Sequence, residues 1–337
     1  MSGVPADRFE KLLALAALTV SIELVFFKFL PDLSTALIQQ GTSALTDFAT
    51  FERDYLLPGS VHYARFLGNH ILYFLAKLLE PLYHSHDVRL HALRVAAGIL
   101  TPLYACLGAY FVLRDGTLFA WRHFLVPYSL MVLMGLYVFY PGDMPALATL
   151  SMALYFLLRE RRAAALFLML VTGLFRESAF HIVALVGMWA VTDRSQSLRS
   201  RVSWVAAFAL AFVVEYVAVR RYFPGPVSAA GGIILDPREV FFGSGLLSFT
   251  TICSLGLAAL FPLACWHELR HTPRDWRRSF FLLNCYAFPA WIVFYRMMSG
   301  NITEFRLLFP ALLPCIYGIA YGARMTPATT ISRARTG

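Results

Sequence analysis

Two carboxylates, Glu52 and Asp54, flank Arg53 in the stretch FERDYLLPGSVHYARFLGNHILYFLAKLLEPLY, residues 51–83. In an extended loop residues i and i+2 point the same way, so both acids can face one substrate. One can take a proton from an attacking hydroxyl while the other holds a metal or a sugar hydroxyl. If a divalent cation such as magnesium or manganese takes part, Glu52 and Asp54 are its ligands. The plain alternative is a solvated acidic loop. A second set of residues is basic. Arg176 and Glu177 stand in LFRESAFHI, between two apolar pieces, with His181 close behind. Arg220 and Arg221 end one apolar run, Arg296 lies near the end of another, and Arg306 follows Glu304 at the start of a third. Arginine forks suit phosphate. Snorkelling to lipid headgroups is the alternative role for Arg220 and Arg221. Asp143, in YPGDMPAL, adds an acid at the start of a further run.

The elements that must position these residues are membrane helices. The chain has 337 residues, 58% hydrophobic and 15% charged, where a soluble domain has about a quarter charged. Apolar runs recur at about 11–30, 93–113, 119–140, 144–158, 202–219, 246–266, 280–298 and 307–321, several of them near the 20 residues that a span needs. Two shorter pieces between Ala163 and Val191, split at Phe175-Arg176-Glu177-Ser178, fall below the roughly 17 residues needed to cross alone. They read as a short helical hairpin or a broken pair. Irregular backbone at membrane depth is tolerated only beside protein or a cavity, which singles out Arg176. The expected architecture is all-α and polytopic, with about ten membrane helices in one domain over residues 1–322. A basic tail follows at 323–337.

Charge sets the orientation. With the N-terminus inside, the inner loops collect Arg159, Arg161, Arg162, Arg194, Arg199, Arg201, Arg270, Arg274, Arg277 and Arg278, and the outer loops hold fewer cations. The net charge of +9 therefore reflects topology and gives no reason to expect nucleic acid. This holds if residues 31–92 stay outside as one unit. Arg65, Asn69, Tyr73, Lys77 and Glu80 share one helical face there, and Phe66, Leu67, Ile71, Phe74, Leu75, Leu78 and Leu79 share the other. Such a helix is expected to lie in the interface, an ordinary span being the alternative. Glu23 and Glu215 stand about 13 residues from the inner ends of their runs, roughly 20 Å up and so in the outer half. Ionisable groups at that depth usually face a cavity or a partner. Cys106, Cys253, Cys265, Cys285 and Cys315 show neither CxxC spacing nor histidine clustering, which argues against a disulfide framework or a zinc site.

The chain resembles the C-type glycosyltransferase (GT-C) superfamily of polytopic enzymes that use polyprenyl-phosphate sugars. The likeness rests on the Glu52/Asp54 pair in the first outer loop, the helices flanking it, Asp143 in YPGDMPAL, the segment LFRESAFHI and the last outer turn GNITEFRLLFPALLP. It implies a GT-C-like helical bundle in which Asp54 or Glu52 is the catalytic base. It also implies a polyprenyl-phosphate-linked sugar donor and a glycan, lipid or protein acceptor at the outer face of a cell-envelope membrane, the bacterial inner membrane. The donor phosphate would be met by Arg176, aided by Arg306 or a divalent cation. Glu177, His181, Asp143, Arg296, Glu304, Arg220 and Arg221 complete the expected site. Two other functions share these residues: a transporter or flippase of lipid-linked glycans, proton-coupled through Glu23 and Glu215, and a non-catalytic subunit of a glycan-assembly complex.

Overall fold

The computed structural model describes residues 56–57, 66–82, 88–113, 142–223, 249–270, 272–299 and 305–325. Every described element is a helix or a short helical turn. In order they are α1 (Phe66–Leu79), α2 (Val88–Leu113), α3 (Asp143–Leu158), α4 (Arg162–Phe175), α5 (Phe180–Thr192), α6 (Leu198–Tyr222), α7 (Phe249–Leu269), α8 (Trp276–Ser299) and α9 (Phe305–Met325). Three contain a stretch long and apolar enough to cross a membrane: Val95–Val112 in α2, α6 throughout, and Trp276–Met297 in α8. Shorter apolar stretches lie in α3, α4, α5 and α9.

α3 is the hub. Fourteen of its 16 residues are buried, as expected of a helix apolar all round. α2, α4, α5 and α9 pack on it. Its few polar side chains are used in place. Ser151 Oγ donates to the Gly108 carbonyl of α2 at 2.8 Å, and Tyr317 of α9 donates to the Ser151 carbonyl at 2.7 Å. Thr172 of α4 donates to Thr149 Oγ1 at 2.8 Å. In apolar surroundings such bonds hold helices together where hydrophobic contrast is weak. α7 and α9 approach closely because α9 carries Gly318 and Gly322 one turn apart: a Cβ on either would collide with Cys265 or Glu268 of α7.

The turn Arg159–Glu160–Arg161 reverses the chain between α3 and α4, with Glu160 at φ 61°. Asp143 and Arg176 consequently return to the same end of the bundle. The break expected at 175–178 is present. α4 ends at Phe175, Arg176 is extended (φ −164°, ψ 150°), and a 3₁₀ turn at Glu177–Ala179 leads into α5. It is a broken pair and not a hairpin, since α4 lies along α3 while α5 packs on α6 and α8.

The expected faces of α1 need correction. Asn69, assigned to the polar face, is buried with Gly68, Leu72 and Ala76. Phe74 and Leu78 of the apolar face are exposed instead. The reason is close packing: the small side chains of α1 meet an alanine face of α2 at Ala92, Ala96 and Ala97, and Asn69 shares that stripe. α1 thus runs antiparallel along α2. Leu56 also packs on this cluster.

Candidate functional site

Six helix ends meet at the end of the bundle that the arginine count assigns to the outside. Asp143 opens α3, where a carboxylate suits the positive end of the helix dipole. Arg220 and Arg296 lie in the last turns of α6 and α8, where cations suit the negative end. The extended backbone at Arg176 sends neighbouring side chains in different directions. Arg176 reaches α3, with Nη1 at 2.5 Å from Asp143 Oδ1. Glu177 reaches α6, its Oε1 accepting from Arg220 Nη2 at 2.9 Å. One break therefore ties three helices by two ion pairs.

Beneath the break lies His181, buried at the start of α5. Its Nδ1 donates to the Ser178 carbonyl at 2.9 Å. Nε2 therefore carries no hydrogen and accepts from the Tyr295 hydroxyl of α8. The imidazole stacks on Trp291 at 4.8 Å between ring centres, with Phe180 and Phe294 completing an aromatic wall.

On the other side of α4, Gly173 has no side chain because the Glu215 carboxylate occupies that space. Both Glu215 oxygens are shielded and have no hydrogen-bond partner among the described residues. They border a cavity of about 20 Å³, room for one water, lined also by Glu177, Phe212, Tyr216 and Arg220. α1 closes the site above. Its Gly68, Ile71 and Leu72 line a small cavity with Met144 and Pro145 of α3, and Phe66 stacks on Phe223 at the end of α6, 4.2 Å between centres.

The structure thus brings Asp143, Arg176, Glu177, His181, Arg220 and Arg296 to one end. Comparison with known protein families, curated proteins and solved structures finds no match. Two expected roles change in detail. Glu177 pairs with Arg220, so Arg220 does more than touch headgroups. His181 is engaged at both ring nitrogens, which leaves no N–H for a phosphate. Arg221 is exposed. Glu52, Asp54, Glu304 and Glu23 lie outside the described residues, as does the side chain of Arg306. Among the described residues no cluster of three or more histidine, cysteine, aspartate or glutamate side chains is spaced to hold a metal ion. Tyr295 was not foreseen. Its signal was the Tyr295-Arg296 pair near the outer end of an otherwise apolar run.

Proposed function

We propose that this chain is a polytopic membrane glycosyltransferase of the GT-C type, with about ten membrane helices. It would take a sugar from a polyprenyl-phosphate carrier and pass it to an acceptor hydroxyl at the outer face. Nucleotide sugars are cytoplasmic, so an outer-face enzyme needs a lipid-linked donor. The acceptor oxygen attacks the anomeric carbon as the bond from that carbon to the phosphate oxygen breaks, with inversion. Asp54, or Glu52 beside it, takes the acceptor proton, and polyprenyl phosphate leaves. A guanidinium held fixed at the membrane surface stabilises that leaving group without reorganising.

The observation that carries this reading is the helix break at Arg176. It gathers Asp143, Arg176, Glu177, His181, Arg220 and Tyr295 into one charged, partly buried cluster at one end of the bundle. Leu56 packs on the α1–α2 cluster, and Gly68, Ile71 and Leu72 of α1 line a small cavity with Met144 and Pro145, which follow Asp143 in α3. The test is transfer from a panel of polyprenyl-phosphate sugars in proteoliposomes. Asp54→Asn should slow it by roughly 10²–10⁴ with unchanged melting, the usual loss for a general base. Near-normal transfer by both Asp54→Asn and Glu52→Gln would reject the enzyme.

A second reading rests on Glu215. A shielded carboxylate without a partner among the described residues also suits a proton-coupled flippase of lipid-linked glycans. That reading requires movement of the glycan lipid driven by a proton gradient, blocked in Glu215→Gln, with no new glycosidic bond.

A further inference from the structure

We propose that the inner ends of α4, α5 and α6 form a binding site for the headgroup phosphate of an anionic phospholipid, with Arg162 and Arg201 as its ligands. Arg162 opens α4. Its guanidinium lies 4.5 Å from the Trp189 ring of α5 and 6.0 Å from the Trp204 ring of α6. Nε and Nη2 of Arg162 are shielded from solvent and have no hydrogen-bond partner among the described residues. Arg201, one turn before Trp204, donates Nη1 to the Ala190 carbonyl at 2.6 Å, and its Nε is likewise shielded and without a partner. Two guanidinium groups therefore flank the last turn of α5.

Described carboxylates nearby form no ion pair with them. Asp193 is buried, and its oxygens accept from Trp189 Nε1 at 3.0 Å and from the Ser195 amide and hydroxyl. Glu160 is exposed in the preceding turn and pairs with neither arginine. Shielded guanidinium N–H groups without a hydrogen-bond partner among the described residues are costly, and an anion from outside the chain would complete them. Arginine forks hold phosphate oxygens in two parallel bonds. The surroundings favour a phospholipid over free phosphate. Exposed Arg161, Arg194 and Arg199 ring the site at headgroup level. The same helices continue with exposed Phe167, Val191 and Val202, which suit acyl chains. Basic pockets between membrane helices on the cytoplasmic side take acidic headgroups in this way. The site is independent of any transferase activity at the opposite end.

The test uses the full chain in mild detergent. Retained lipid is read by native mass spectrometry, and melting is followed with added phosphatidylglycerol, phosphatidylcholine or inorganic phosphate. Phosphatidylglycerol should stay bound and raise the melting temperature, and the other two should do neither. Arg162→Ala and Arg201→Ala should each weaken phosphatidylglycerol binding roughly five- to tenfold, and Arg162→Lys should fall between, because it keeps the charge and loses the fork. Arg274→Ala, exposed in another inner loop, should change nothing. If Arg162→Ala does not fold, Arg162→Lys and Arg201→Ala carry the same comparison. Equal binding of the two lipids, or unchanged phosphatidylglycerol binding in these variants, would overturn the site. Displacement of phosphatidylglycerol by equimolar inorganic phosphate would overturn the lipid assignment.

Discussion

Arginine serves the two ends of this bundle differently. At the outer end the described ion pairs join arginine to acid: Arg176 to Asp143 and Arg220 to Glu177. At the inner end arginines meet carbonyls and rings. Arg277 donates to the Leu158 carbonyl at the end of α3 at 3.1 Å, Arg201 caps α5 at Ala190, and Arg162 lies on Trp189 and Trp204. Asp275, the acid at the start of α8, serves the Arg278 amide and Tyr321. The described arginines at this end thus finish helix ends. Arg176 and Arg220 are each matched with an acid around a break in the backbone. That matching carries no orientation signal and stabilises little where it is exposed, so its value lies in holding charge at fixed positions.

The largest effect on stability should come from Arg176→Ala. It removes the ion-pair partner of the Asp143 carboxylate, which is 6% exposed, and breaking a buried pair from one side costs about 3–5 kcal/mol. Melting in detergent checks this, and an unchanged Tm would make the outer pair no different from the inner contacts. Tyr295→Phe should cost less, about 1–3 kcal/mol, because it leaves the buried Nε2 of His181 without its donor. Arg277→Ala removes one bond to a carbonyl and should cost about 1 kcal/mol. Arg220→Ala should be smallest, about 0–1 kcal/mol, since the Arg220 and Glu177 side chains are 22% and 35% exposed. An Arg220 effect as large as that of Arg176 would show that both pairs act as one buried network.

Much of this frame is legible in the sequence. The run read as 144–158 is α3 at Asp143–Leu158, and the break read at 175–178 is where α4 ends. Both follow from apolar length alone. The longer runs fall short of their helices, as 202–219 does of α6 at Leu198–Tyr222. Polar ends extend a helix past its apolar window, and Ser197 and Asp275 cap the starts of α6 and α8. Partners were not legible. Glu177 and Arg220 are 43 residues apart and Tyr295 and His181 are 114 apart, so nothing local selects them. The burial of Asn69 was hidden for a different reason: helical periodicity separates polar from apolar, whereas α1 packs by size, with Gly68 and Ala76 against alanines.

Under the proposed function the Asp143–Arg176 pair holds a guanidinium ready for the donor phosphate and is more than a structural clasp. The direct measurement is polyprenyl-phosphate-sugar binding and Tm on the same samples of Arg176→Gln, Asp143→Asn and the double variant. Arg176→Gln should lose both stability and about tenfold or more in donor affinity, since a tenfold change is about 1.4 kcal/mol. The double variant, which buries two neutral groups in place of two charges, should recover stability while donor binding stays weak. Recovery of both stability and donor binding in the double variant would contradict the claim.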